Sequence, residues 1–421
     1  MSKSKIILHS DLNHFYANCE IFANPELSNK PVVVCGDAEQ RHGIILTKNP
    51  IAKAFGIKTG EAIWEAKQKC PQLVTVSANY SLYLKTSELV REIYADYSDR
   101  VESFGIDECW IDVTDSTTLF GKGRTIADEI RDRIRNEIGI TASVGVSYNK
   151  IFAKLGSDME KPDATTIIRE DNYKDVAWRL PVSDLLYVGR ATTKKLRLLR
   201  IYTIGDLAKA DTKLLHDHLG VMGIVIHRFA NGWDHTQVTK KGSESYVKSV
   251  GNSITAPRDL ETLQDVTAIL YMLSDSVAAR LRKHKLKCQG VQISIRGNDL
   301  QSCDRQAPLI SPSYITNEIA QKAVDIFHTK YHFVKPVRSI GVRAINLVAE
   351  NTLVQTNLFQ NEDERRKQEE LDKTLDRIRD RYGYRAIRKG ILLEDRELTN
   401  ANPIDEHIIH PVSLFKDGKI T

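Results

Sequence analysis

Cysteine is sparse and scattered: six in 421 residues (Cys19, Cys35, Cys70, Cys109, Cys288 and Cys303), with no CxxC pair and no partnering histidine. That pattern excludes a disulfide framework and argues against a zinc site. Long apolar runs are missing too. No segment approaches the roughly 18 consecutive apolar residues of a membrane span. Ile6-Ile7-Leu8 before His9, Ser10 and Asp11 is too short for a signal peptide. A cytoplasmic protein with no membrane partner is expected. An excess of one charge is also lacking, since 60 Lys and Arg against 55 Asp and Glu leave only +5. Composition therefore names no nucleic-acid partner, and the distribution of charge has to be read instead. What is present is ordinary globular material, 41% hydrophobic and 27% charged, long enough for two to four domains.

Strand and helix patterns alternate up to about residue 170. Residues 5–9 and 31–35 read as strands, the second ended by Gly36-Asp37. Helices are expected from His14 to just before Asn24-Pro25, over 80–98, and where Ile126, Ile130, Ile134 and Ile138 precede Gly139. Strands at 108–113 and 141–146 would complete a mixed sheet with helices on one face. Residues 182–233 read as short helices, and the polar, aperiodic stretch 234–245 reads as a linker. Strands near 249–255, 291–295 and 337–345, with helices near 263–284 and 313–331, predict a β-α-β-α-β order. After Ala349 the chain turns polar, then charged and helical over 362–381, and ends in a loosely patterned tail.

Two acidic motifs carry chemistry. Asp11 closes the first strand, where α/β folds usually build sites. Asp107 and Glu108 adjoin each other before a second strand, a costly pairing unless a cation is shared. Successive strand residues face opposite ways, so these two could share an ion only at a bend. Gly105 permits one. Three converging carboxylates would suit magnesium, a hard ion that prefers oxygen ligands. Taken alone, each motif also reads as a strand-end acid facing solvent, and nothing in the spacing brings residue 11 to residue 107.

The run Asp11-Leu12-Asn13-His14-Phe15-Tyr16-Ala17-Asn18-Cys19-Glu20 resembles the opening of the Y-family DNA polymerases. Ile106-Asp107-Glu108 is similar to that family's Ile-Asp-Glu motif. A third likeness runs from Val144-Gly145-Val146-Ser147-Tyr148-Asn149-Lys150 through Lys154 to Asp158-Met159-Glu160-Lys161-Pro162. The order and spacing match over roughly the first 350 residues. Asn13, Cys19 and the C-terminal region look closest to the bacterial UV-damage-repair branch. The resemblance implies a low-fidelity, template-directed polymerase acting in translesion synthesis and DNA repair. It would take dNTPs and primer-template DNA, and hold two Mg2+ ions on Asp11, Asp107, Glu108 and the Leu12 carbonyl. It implies a steric gate at Tyr16 against a 2′-hydroxyl, and triphosphate contacts from Phe15, Thr47 and Lys161. Where many relatives carry a Tyr and an Arg, this chain has Pro50 and Lys53. Lys53 keeps the charge without the bidentate fork. Ile44 and Leu46 stand where small residues often cover the nascent base pair.

Val188-Gly189-Arg190 with Lys194 resembles a helix-hairpin-helix, which binds a DNA phosphate through backbone N–H groups. Its usual first glycine is replaced by Tyr187. The basic run 280–287 is ordinarily a solvated helix face, and in a domain after a polymerase core it looks like part of a DNA grip. Gln355-Thr356-Asn357-Leu358-Phe359 resembles the peptide by which bacterial polymerases dock on the sliding clamp. The expected class is α/β (α+β), a right hand. Its palm spans 1–22 and 78–168, its fingers 23–77, its helical thumb 169–233, a linker 234–245, its little finger 246–349, and a clamp peptide with tail 350–421. A protein monomeric apart from the clamp is expected. The competing readings are a non-catalytic scaffold binding clamp and primer-template, and another palm-domain nucleotidyl enzyme such as a cyclase.

Overall fold

The computed structural model describes residues 5–36, 43–240, 247–331, 335–352 and 361–401. The chain forms two compact units, one carrying the elements from Ile7 to Ala230, the other those from Ser249 to Leu393. No helix among the described residues is long and apolar enough to cross a membrane.

The first unit is built on a five-stranded sheet in the order Val101–Ser103, Glu108–Asp112, Ile7–Leu12, Ala142–Ser147, Thr165–Ile168. All pairs are antiparallel except the last. The central strand Ile7–Leu12 is buried along its whole length, and its polar His9 and Ser10 are hydrogen-bonded to Ser157 and Tyr94. Leu8 and Leu12 pack with Val90, Ile126 and Ile130 from the helices Tyr80–Tyr97 and Gly123–Arg133. Ile7 and Trp110 pack instead with Ile151 and Phe152 of Lys150–Met159. That helix lies so close to the sheet that a Cβ on Gly145 would collide with the Ala153 carbonyl oxygen. The isoleucine helix ends in a wider π turn over Ile134–Ile138. A four-residue spacing drifts by about 40° per α-helical turn, and the wider turn keeps Ile138 in the core.

A three-stranded sheet, Ile45–Lys48, Val32–Cys35, Val74–Ser77, carries two short helices over a small core of Val33, Ile45, Ala52, Ile57 and Ala66. Five short helices between Tyr173 and Ala230 follow the first sheet. The stretch expected as a linker departs from that reading in its first seven residues. Val238 is fully buried, Thr239 N–H donates to Glu102 Oε2 at 2.9 Å, and Lys240 pairs with Asp99. Residues 234–240 thus belong to the body of the first unit, and 241–245 lie outside the described residues.

In the second unit the β-α-β-α-β expectation is one strand short. Four antiparallel strands stand in the order Ser302–Ser313, Leu286–Gly297, Val337–Ala349, Ser249–Leu260. The added strand is polar and contains Pro308 and Pro312, so it gives no alternating apolar signal. It sits at the sheet edge, where proline costs no interior ladder bond. The helices Leu263–Lys283 and Thr316–Lys330 cover one face. The other face bears Ser253, Gln292, Ser294, Arg296 and Arg343 by strand register. A third layer comes from Glu362–Tyr382 and the residues after it, which add Leu392 and Leu398 to this core.

The basic run 280–287 is corrected by this layer. The Arg282 side chain is only 6% exposed and is held by Asp372 and Asp376. Arg280 donates to the Gly251 carbonyl, and Lys287 lies over the Tyr314 ring near Glu369. Much of the run is therefore occupied by the protein itself rather than presented to DNA.

Candidate active site

Antiparallel pairing of Ile7–Leu12 with Glu108–Asp112 sets Asp11 directly opposite Glu108. Such partners have Cβ atoms roughly 4.5–5.5 Å apart. Asp107 precedes the strand, in the bend 104–107 foreseen at Gly105, and its carbonyl accepts the Leu12 N–H at 3.0 Å. The three acidic residues and Leu12 are thus brought to one end of the central strands by ladder register, across almost a hundred residues of sequence.

Two lysines meet these acids. Lys161 Nζ lies 2.8 Å from Asp11 Oδ2 and 2.8 Å from Asp158. Lys154 Nζ lies 2.8 Å from Glu108 Oε2. Burial pushes the Asp11 carboxyl up to about 7 against the pull of Lys161. Burial, then the Glu108 charge, push Asp107 up to about 6. Burial opposes the charge on Glu108 as well, yet its carboxyl is held down to about 2. His9, whose Nε2 stands 3.4 Å away, and the Lys154 ammonium together hold it there, while burial holds the His9 ring itself down to about 4. Two of the three carboxyls are therefore short of positive charge.

Among the described residues no three His, Cys, Asp or Glu side chains converge closely enough to hold an ion as they stand. The donor set nevertheless fits magnesium, since every ligand offered is a hard oxygen and the two lysines occupy places that a cation's charge would serve. Behind this set lie residues that sequence reasoning left without roles. His9 Nδ1 bonds Ser157 Oγ, which donates to the Lys154 carbonyl. Asn13 accepts the Asp163 N–H and donates to Ser143, tying the loop after Lys161 to the first strand. In the third motif Ser157 sits one helical turn from Lys154, the partner of Glu108, and His9 and Asn13 flank Asp11 in the first.

Phe15 is buried, its ring packed against Tyr83. Tyr16 is half-buried and stacked on Tyr83. Thr47 pairs with Val34 on the small sheet, and Lys53 is exposed in the helix Pro50–Ala54. Pro50 occupies the first position of that helix behind the Asn49 cap, where proline is favoured. Ile44 is 47% exposed. At the hairpin, Val188 is buried, Gly189 caps Arg190–Leu198, and Arg190 and Lys194 are exposed beside a cleft of about 710 Å³. Tyr187 takes the positive φ (68°) that glycine usually supplies there, its ring stacked on Phe229. Gln355, Leu358 and Phe359 lie outside the described residues.

Comparison with known proteins agrees with this geometry. Residues 10–158 match the impB/mucB/samB family, and residues 247–358 match that family's C-terminal domain. DNA polymerase IV of Acetivibrio thermocellus is 54% identical over 394 residues, covering 94% of this chain and 99% of that protein. DNA polymerase IV 1 of Bacillus subtilis is 36% identical, covering 94% and 95%. A solved Y-family DNA polymerase chimera shares the fold with a TM-score of 0.73 at 23% identity, over 82% of this chain and 99% of its own. The chain belongs to the impB/mucB/samB family of Y-family DNA polymerases, with the palm, fingers, thumb and little-finger fold. Both of these relatives carry the polymerase IV name, which supports a DinB-like member of the family.

Proposed function

We propose that this Y-family polymerase performs translesion synthesis by attack of a primer 3′-hydroxyl on the α-phosphate of a dNTP, at Asp11, Asp107 and Glu108. The observation that carries this reading is the cross-strand pairing of Asp11 with Glu108, with Asp107 at the adjoining bend. These three carboxylates and the Leu12 carbonyl would hold two magnesium ions. When bound, such ions lower the pKa of the attacking hydroxyl and stabilise charge on the leaving pyrophosphate. Lys161 supplies a fixed positive charge to the triphosphate, and Lys53 and Thr47 line the same approach. Tyr16 closes the sugar pocket against a 2′-hydroxyl. A sliding clamp would engage the Gln355–Phe359 peptide and raise the low intrinsic processivity by tethering. The scaffold reading is not favoured, because a scaffold has no use for three acids clustered at one end of the central strands. Primer extension with purified protein, Mg2+ and dNTPs is the test. Binding of primer-template without any addition of nucleotides would overturn it.

DNA is gripped through phosphates, by the hairpin around Gly189 and by the polar sheet face carrying Arg296 and Arg343. Replacing Arg190 and Lys194 with Ala should weaken primer-template binding on every sequence alike. It should also flatten the dependence of log K on log salt by roughly 1–2. An unchanged slope would remove the hairpin from the DNA interface.

Ile44 and Leu46 support a pocket tighter over the nascent base pair than in relatives with small residues there. The double change Ile44→Ala, Leu46→Ala should speed insertion opposite a bulky template adduct by about tenfold relative to undamaged template, the scale of a few methylenes in a pocket. No relative gain in single-nucleotide insertion would dismiss the idea.

A further inference from the structure

Tyr16 and Glu20 stand four residues apart on the helix Phe15–Ala23, so they share one face. Tyr80 and Tyr83, three apart on Tyr80–Tyr97, face them. Tyr83 is fully buried and meets Phe15, Tyr16 and Glu20 of the first helix. Its ring stacks on Tyr16 with centroids 4.3 Å apart and planes inclined by 13°. Its hydroxyl donates to Glu20 Oε1 at 2.5 Å. Tyr80 meets the Tyr16 ring edge-on at 5.9 Å and 78°.

We propose that Glu20, acting through Tyr83, is a positioning residue for sugar selection: it anchors the ring that fixes the plane of Tyr16. This rests on the reading of Tyr16 as the gate. A gate excludes a 2′-hydroxyl only if its ring cannot tilt away, so selectivity depends on what backs it. Tyr83 covers one face of Tyr16 and Tyr80 blocks an edge, leaving the remaining face for the sugar. Tyr83 itself is held by a hydrogen bond to a carboxylate, which is about twice as strong as a neutral one. Without that acceptor, its buried hydroxyl must find another partner, and the ring shifts to reach it. The loosened stack then lets Tyr16 give way to the larger sugar, while a deoxyribose fits as before.

The test is single-nucleotide insertion of matched dNTP and rNTP on a primer-template by the full chain, comparing kcat and KM for each. Tyr83→Leu should lower the dNTP-to-rNTP ratio of kcat/KM about tenfold, mostly by improving rNTP use. Glu20→Ala and Tyr83→Phe should each lower it about threefold, and the double variant should fall no further, because both remove one hydrogen bond. Glu20→Gln, which keeps an acceptor, should restore most of the ratio. Equal losses for dNTP and rNTP would show a merely structural role and overturn the proposal, as would additive effects of Glu20→Ala and Tyr83→Phe. Should Tyr83→Leu not fold, that double-mutant comparison decides. Tyr16→Ala separates the two layers: an unchanged ratio there removes the gate itself, whereas a large drop with silent Glu20 and Tyr83 variants overturns only their positioning role.

Discussion

Asp107→Asn with Glu108→Gln should abolish primer extension, lowering the rate of nucleotide addition by at least about 10³-fold, or roughly 4 kcal/mol in the barrier. Both replacements keep the size of the side chains and remove their charge, so the bend at 104–107 and the ladder to Ile7–Leu12 should persist. Of the ligand set only the Asp11 carboxylate and the Leu12 carbonyl are untouched, and the two amides that replace the other carboxylates are poor partners for a hard divalent ion. Lys154 loses its carboxylate partner at 2.8 Å, which leaves an uncompensated ammonium where the ions would bind. Primer-template affinity should change by less than about threefold, because phosphates are gripped by cations elsewhere. The measurement is rapid-mixing extension beside equilibrium binding on the same DNA. Retained extension would show that these carboxylates are not the reacting centre. Lost extension together with lost DNA binding would point to misfolding rather than chemistry.

Asp372→Ala should destabilise the second unit by about 3 kcal/mol, the usual scale for removing one partner of a buried pair. Asp372 does two things from the added helix Glu362–Tyr382. Its Oδ2 accepts the Thr316 N–H at 2.7 Å, capping a helix that Ile315 cannot cap, and it meets Arg282 Nη1 at 3.2 Å. Arg282 keeps Asp376 and the Tyr314 carbonyl, so its charge is only half stranded. In calorimetry of the full chain, the transition of this unit should fall by roughly 6–12 °C. Asp372→Asn preserves an acceptor for Thr316 and should lose about half as much. A shift below about 1 °C would mean that residues 361–401 decorate the unit without stabilising it. The matched C-terminal family domain stops at residue 358, so the layer that completes this core lies beyond it.

Legibility in the sequence followed the range of the forces involved. Local signals were reliable: Asn24-Pro25 marks one helix end, Gly139 another, and the isoleucines every fourth residue a buried stripe. The acidic motifs were visible because adjacent carboxylates before an apolar strand are costly without a cation. The edge strand Ser302–Ser313 was not visible, since its pairing is satisfied by backbone groups and its prolines mimic a loop. The fate of Arg282 was hidden as well. A basic run and a later acidic helix look alike whether each is solvated or each holds the other, and only packing decides. The same is true of 234–240, polar in composition yet pinned by Glu102.

By itself the sequence determined which side chains could bind a hard ion, which segments would be helical, and, through resemblance, which family the chain should join. Tertiary structure alone decided that Asp11 faces Glu108, that Lys161 and Lys154 meet them, and that Tyr83 links Glu20 to Tyr16. The reason is physical. Residue type and spacing fix what a group can do, whereas strand register and helix packing fix what it meets, and those depend on contacts separated by up to 150 residues along the chain.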